Sequence, residues 1–210
     1  MPRIEGADLI HHVTGRSIPA RAAFSDDLAR QRFLQLLAGT VQLRGWVVLA
    51  YCLLSTHYHL LVRTVTPNLG VGMQWIHGRH AQITNVLHDT TGPLWRGRYH
   101  SSVVVTGAHV VRAAAYIDAN AVDAGLCRSP EDWPWSSYRA NGGLATPTNW
   151  HRPDVLHSFI GAAAADAPVV YRSAVVDAIE RARGRRVIER VPKHPRCRVT
   201  FVDPGSDPGV

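Results

Sequence analysis

The residue pair most suited to chemistry is His57 and His59, separated by Tyr58. The residues from Tyr58 to Arg63 predict a β-strand, and strand residues two apart point to the same face. Two neighbouring imidazoles can share one divalent metal ion, but two ligands leave the ion under-coordinated. A half-buried strand carrying two hydrogen-bonded histidines is the alternative interpretation.

A second candidate pair is Tyr116 and Asn120, in a segment from Gly107 to Ala124 that is Ala-rich and predicts a helix. Their spacing of four residues places both side chains on one helical face. A tyrosine hydroxyl can act as a covalent nucleophile, and an asparagine oxygen can bind a hard cation. Ordinary packing of the tyrosine is the alternative.

Other histidines and aromatic residues give weaker patterns. His77 and His80 lie three apart on a predicted helix, where they either bind metal or belong to an exposed polar face. His11 and His12 are adjacent on a strand, so one of them can share a sheet face with the pair at 57 and 59. Residues 95–100 mix cations with aromatic rings, a combination that stacks on bases and holds phosphates, or else forms a polar loop.

Hydrophobic periodicity and chain breakers predict the elements that position these residues. Strand-like segments alternate with amphipathic ones in the order strand, helix, strand, strand, helix, strand, helix. This order predicts an α+β fold in which helices cover one or both faces of an antiparallel sheet. The predicted strands are 9–14, 46–53, 58–63 and 101–105, and the predicted helices are 27–45, 68–88, 107–124, 155–165 and 167–183.

Composition and charge narrow the class of protein. The chain has 210 residues, a net charge of +7, and no apolar run near the 20 residues that span a bilayer. All of the excess charge lies in residues 181–198, which favours binding to nucleic acid over a merely solvated tail. There is no signal-peptide pattern, and the three cysteines, an odd number without a CxxC pair, argue against a disulfide framework. We therefore expect a cytoplasmic protein with no membrane span.

Five segments together resemble the single-tyrosine HUH transposases, in the branch of REP-associated tyrosine transposases. HUH denotes histidine, a hydrophobic residue and histidine. The segments follow the order and approximate spacing of that family, and the resemblance covers about residues 5–145. They are AYCLLSTHYHLLVRT (50–64), NLGVGMQWIHGRHAQ (68–82), GPLWRGRYHS (92–101), YIDANAVDAGL (116–126) and WPWSSYRA (133–140).

The resemblance implies a ferredoxin- or RRM-like HUH domain over residues 1–145, a helical extension over 146–183 and a basic tail over 184–210. It implies His57 and His59 as ligands of Mg²⁺ or Mn²⁺, Asn120 as the third ligand and Tyr116 as the nucleophile. The implied reaction cleaves and rejoins single-stranded DNA next to a hairpin through a 5′-phosphotyrosine link. The implied assembly is a monomer or homodimer.

Cationic and aromatic side chains are the expected DNA contacts. The chain also departs from the family pattern, with Ser55 and Thr56 before the first histidine and Asp118, Ala121 and Asp123 after the tyrosine. The two acids are expected to lower the positive potential near the site. The expected DNA-contacting residues are Arg63, Arg79, Trp95, Arg96, Arg98, Tyr99, Arg181, Arg183, Arg185 and Arg186.

Three other functions are compatible with parts of this pattern. A catalytically weakened, domesticated protein would still bind DNA hairpins but form no covalent adduct. A replication initiator or relaxase shares the HUH site but usually carries extra domains or a differently placed tyrosine. An unrelated zinc hydrolase would need a denser ligand set, and the sequence has no HExxH motif.

Overall fold

The computed structural model describes residues 6–190, with side chains as far as residue 184. The strands are β1 (Leu9–Arg16), β2 (Trp46–Leu53), β3 (His57–Thr64) and β4 (His100–Val104). The helices are α1 (Asp27–Arg44), α2 (Leu69–Leu87), α3 (Gly107–Asp123), α4 (Tyr138–Asn141), α5 (Pro153–His157) and α6 (Ala167–Arg190), with one 3₁₀ turn at Pro130–Asp132. The strands form one antiparallel sheet in the order β2-β3-β1-β4, the arrangement of a ferredoxin-like βαββαβ unit.

Local capping explains where the helices around the sheet begin and end. The Asp26 side chain accepts a hydrogen bond from the Ala29 N–H at 2.7 Å and so caps α1. Gly45 ends the same helix with a φ of 67°, a left-handed conformation that glycine adopts without strain. Thr106 caps α3 by accepting from the N–H of His109. The boundaries predicted for these two helices are therefore confirmed to within two residues.

The sheet is covered on both faces, as the α+β prediction requires. Tyr58 and Leu60 of β3 face α1 and α2, where they pack with Phe33 and Leu37. The opposite face of the sheet, which includes Leu61, packs against α3 and α6. Because β3 residues alternate between the two cores, His57 and His59 lie on the α3 side.

The C-terminal helices differ from their predicted lengths. The predicted helix 155–165 is only α5, because tight turns follow it, including a hydrogen bond from the Ala162 N–H to the Ile160 oxygen. The helix predicted to end at residue 183 continues to Arg190 as α6. Tyr171 on α6 is fully buried in the core beneath α3. Neither α6 nor any other helix within residues 6–190 has the length and hydropathy needed to cross a bilayer.

Candidate active site

The histidines of β3 and β1 share one face of the sheet. His59 pairs with Thr14 and His57 pairs with Arg16 in the antiparallel register of β1 and β3. Directly paired residues point to the same side, and so do residues two apart on one strand. His12 therefore points to the same side as the His57 and His59 side chains.

Three imidazoles meet on this face. The His57 and His59 rings lie 5.4 Å apart between centroids, which confirms their predicted placement on one face. The Nε2 atom of His12 lies 3.0 Å from Nδ1 of His59, within hydrogen-bonding distance. The sequence left open which of His11 and His12 faces the site. The structure selects His12 and buries His11 completely on the other face.

Tyr116 is placed against this histidine cluster by α3. Its ring centroid lies 5.7 Å from that of His59 and 6.1 Å from that of His12, with both contacts edge-on. The side chain is nevertheless 41% exposed, the largest exposed fraction of any tyrosine among the described residues. The helix thus holds an accessible phenol directly beside the imidazoles.

Asn120 lies one helical turn after Tyr116 and is largely buried. Its Nδ2 atom donates to the backbone oxygen of Tyr116 at 2.7 Å. This bond fixes the amide to the same turn that carries the phenol and leaves Oδ1 as the acceptor atom of the side chain. The role of Asn120 as a metal ligand stays a prediction.

Burial keeps the site histidines neutral. It is the main cause that lowers the pKa of His59 to about 3, and the neighbouring His12, His57 and Arg16 charges act in the same direction. Burial likewise lowers the pKa of His12 to about 4. The pKa of His57 is also lowered, by burial and by Arg16. Neutral imidazoles have a free lone pair, which is the form that binds metal ions.

The donor set can accommodate a divalent cation through the predicted ligands. The His12 contact occupies Nδ1 of His59, which leaves Nε2 as its second nitrogen; metal-binding histidines are commonly oriented by such an outer partner. Two neutral imidazoles and an amide oxygen then leave further coordination positions to water and phosphate oxygen. Histidine, cysteine and carboxylate side chains alone form no metal-binding group of three or more within residues 6–190.

Two of the expected DNA contacts are largely buried. Trp95 and Tyr99 are only 9% and 5% exposed. The indole stacks on the His77 ring at 4.2 Å and donates from Nε1 to the backbone oxygen of that residue. His77 also contacts the Tyr58 hydroxyl at 2.6 Å. The His77 ring therefore covers one face of the indole, and neither side chain projects from a surface loop.

His77 and His80 themselves are not part of a polar surface. His80 is 1% exposed, and its Nε2 atom lies 2.8 Å from the backbone oxygen of Ala23. Both rings pack in the core between α2 and the sheet, so the expectation of an exposed face is wrong. The Nε2 atom of His80 is hydrogen-bonded to Ala23 and that of His77 to Tyr58.

The expected arginine contacts fall into distinct environments. Arg63 forms an ion pair with Asp8 at 2.6 Å, and Arg79 bonds to Gln82 on the surface of α2. Arg96 and Arg98 are exposed on the segment that leads into β4. On α6, Arg181 and Arg183 are exposed, whereas the side chains of Arg185 and Arg186 lie outside the described residues.

Asp118 does not lie at the site surface, contrary to the expectation that it lowers the potential there. Two residues after Tyr116 on a helix, it points away from that side chain and is fully buried. Its carboxyl oxygens accept hydrogen bonds from Ser137 and Tyr171 at 2.6 Å and from Asn141 at 3.1 Å. Asp118 therefore links the helix of Tyr116 to the C-terminal elements.

Comparison with known proteins supports the fold. No protein-family profile matches the sequence, and no curated protein matches it. A solved structure of a REP-associated tyrosine transposase bound to a REP hairpin is similar, with a TM-score of 0.61 and 16% sequence identity. The match covers 71% of this chain and 89% of that one. The chain therefore has the α+β fold of a REP-associated tyrosine transposase.

Proposed function

We propose that this protein is a single-tyrosine transposase that cleaves and rejoins single-stranded DNA beside a hairpin, using a divalent metal ion. The observation that carries the proposal is the position of Tyr116, an exposed phenol in ring contact with His59 and His12. A core tyrosine would be covered, and an incidental surface tyrosine would have no reason to lie on buried, neutral histidines. The arrangement suits a nucleophile held beside an electrophile-binding site.

The Tyr116 oxygen attacks the scissile phosphorus in line with the departing 3′ oxygen. A bond forms between the phenol oxygen and phosphorus, and the bond from phosphorus to the 3′ oxygen breaks. The phenol proton is lost and the 3′ oxygen gains one, which leaves a free 3′-OH and a 5′-phosphotyrosine. Because the phosphodiester energy is conserved, another 3′-OH can attack the link and rejoin the strands without ATP.

His57, His59 and Asn120 are the residues that would hold the metal ion. When bound, a divalent cation polarises a non-bridging oxygen of the scissile phosphate. His12 orients the His59 ring through the contact between Nε2 and Nδ1. The amide bond from Asn120 to the Tyr116 carbonyl keeps the third ligand and the nucleophile on one rigid turn. The chain thus presents a phosphate site and its attacking atom from a strand and a helix packed together.

The DNA partner is supported by the neighbour of the same fold and by charge. That transposase was solved with a REP hairpin. In this chain Arg96 and Arg98 are exposed on the segment preceding β4, and the Arg96 N–H donates to the oxygen of Arg16, the register partner of His57. Exposed arginines of this kind bind backbone phosphates and make affinity depend on salt.

A denaturing gel tests the proposal. Purified protein is incubated with labelled single strands from the flanks of its own gene, each containing a hairpin, with Mn²⁺ or EDTA. Wild type should give a Mn²⁺-dependent covalent band, and Tyr116→Phe should lose it while binding the same DNA within about threefold. A band that survives in Tyr116→Phe would assign the nucleophile elsewhere and refute the mechanism.

A hairpin-binding protein without catalysis is the second candidate. It is favoured by the donor set, because no group of three histidine, cysteine or carboxylate side chains within residues 6–190 could hold a metal ion. This candidate predicts salt-dependent binding of the hairpin strands and no covalent band with any metal ion. The same gel, run beside a native binding assay, separates the two functions.

A further inference from the structure

An open groove lies between α2 and residues 93–99, on the sheet side opposite to His57 and His59. Its volume is about 770 Å³, within the range of small-molecule sites. Val71 and Met73 of α2 form one wall, and Leu94, Trp95 and Tyr99 form the other. The groove is therefore a largely apolar slot built from two well-packed segments.

Glycines keep this groove open. Gly78 of α2 and Gly97 of the opposing segment both line it. A Cβ atom added at either position would meet no other atom within 4 Å. The space beside them is therefore accessible, and no side chain of the described residues fills it.

The polar groups of the groove select the kind of ligand. Among the described residues that line the groove, Arg98 is the only arginine or lysine, and there is no aspartate or glutamate. The Gln74 side chain is exposed at its wall and can both donate and accept hydrogen bonds. An apolar slot with an amide and a guanidinium matches a flat, hydrogen-bonding ring attached to an anion.

The groove is connected to the candidate active site around the end of β1. The Arg96 N–H, between the groove residues Trp95 and Gly97, donates to the Arg16 oxygen at 2.9 Å. Arg16 is the register partner of His57. The exposed side chain of Arg96 lies on this connection, so a strand bound at the histidines meets cations on its way to the groove.

We infer that this groove binds an unpaired nucleotide of the DNA strand, with the base inserted between α2 and residues 93–99 and its phosphate beside Arg98. The identity of the strand as DNA rests on the proposed function. The base is recognised by its apolar faces and by Gln74, and unpaired bases are the ones whose faces and edges are available. The groove thus adds a contact with a base to the contacts that the protein makes with the phosphates of single-stranded DNA.

Gly78→Leu tests this inference without disturbing the fold. Leucine is a better helix former than glycine, and its side chain enters the open groove. Gly39→Leu is the matched control, because Gly39 is an exposed α1 glycine with equally open space around it. Binding of fluorescein-labelled dT12 is measured by anisotropy in EDTA, beside a twelve-unit abasic strand of the same charge.

Wild type and Gly39→Leu should bind dT12 at least about fivefold more tightly than the abasic strand, which corresponds to one base contact. Gly78→Leu should bind the two strands equally. An unchanged preference for dT12 in Gly78→Leu would overturn the inference. So would a Gly78→Leu variant that changes only self-association in sedimentation, since the groove would then belong to a second copy.

The covalent band of the Tyr116 reaction separates this inference from the proposed function. Loss of base preference in Gly78→Leu without any covalent band in wild type would support the groove and reject the enzyme. A covalent band in wild type with full base preference in Gly78→Leu would support the enzyme and reject the groove. The two claims therefore fail in different experiments.

Discussion

The buried carboxyl group of Asp118 gives a prediction that can be worked from the structure. Burial raises the pKa of Asp118 from its ordinary value of 3.8 to about 7, although hydrogen bonds from Ser137, Tyr171 and Asn141 act in the opposite direction. The folded protein then holds a proton that the unfolded chain releases between about pH 4 and pH 7. The contribution of Asp118 to the free energy of unfolding is therefore largest below pH 4. It falls as the pH rises from about 4 to 7 and is lost above 7.

The magnitude follows from the pKa. At pH 5 the unfolded carboxyl is ionised and the folded one is protonated, two units below its pKa of about 7. At about 1.4 kcal/mol per unit, the free energy of unfolding contributed by Asp118 falls by about 3 kcal/mol from pH 5 to pH 8. Asparagine has nearly the same shape as aspartate but does not ionise, so the stability of Asp118→Asn lacks this dependence on pH.

Urea unfolding of wild type and Asp118→Asn at pH 5, 6, 7 and 8 measures the effect. Buried histidines such as His151, whose pKa is lowered to about 4, give stability that is lost on acidification, and the comparison at each pH cancels it. The stability of wild type relative to Asp118→Asn should fall by about 3 kcal/mol over this range. A difference that stays constant to within about 0.5 kcal/mol would refute the reasoning, because three donors would then hold the carboxylate ionised at every pH.

Two further outcomes follow from named contacts and a third from the charge of the chain end. His12→Asn should lower the yield of covalent adduct at limiting Mn²⁺ by about 10- to 100-fold while leaving DNA binding unchanged, because it removes the partner of His59. Gly72→Ala should lower the unfolding free energy by about 1–3 kcal/mol in urea, because a methyl group there overlaps the Trp46 ring. Removing residues 191–210, which include three basic residues, should reduce the slope of log K against log salt for single-stranded DNA by up to about 2.

Local sequence patterns were sufficient for much of the framework. The alternation of a strand places His57 and His59 on one face, and the fourfold spacing on a helix places Tyr116 above Asn120. Caps and glycines marked the helix limits because their effect is local. These features depend on residues no more than four apart, so each of them can be predicted from a short segment of the sequence.

His12 could not be selected from the sequence because its role depends on register. The pairing of Thr14 with His59 brings together strands 45 residues apart, and a shift of one residue would have brought His11 to the site instead. The adjacent histidines were visible, but nothing local distinguishes the residue that faces α3 from the one that faces α2. To choose between His11 and His12, one must know which residues of β1 and β3 pair with each other, and the residue types do not give that register.

Long-range contacts explain the expectations about exposure that were wrong. Trp95 and Tyr99 occur in a segment rich in arginine, which suggested a surface loop. Backbone hydrogen bonds nevertheless join Leu94 and Arg96 to residues 16–18, and both rings are largely buried. Aspartate is usually a surface residue, but Asp118 is buried with hydrogen-bond partners, Ser137 and Tyr171, that lie 19 and 53 residues away in the sequence. Such long-range partners determine exposure, and a helical pattern alone does not reveal them.

The most direct test of the central claim is the location of the covalent DNA on the protein. Trypsin releases residues 113–128 as one peptide, in which Tyr116 is the only hydroxyl-bearing residue. After reaction with a hairpin-containing strand in Mn²⁺ and digestion by nuclease and trypsin, mass spectrometry should find this peptide carrying a 5′-linked nucleotide phosphate. Its recovery without modification, from protein that binds the strand, would contradict the assignment of Tyr116 as the nucleophile.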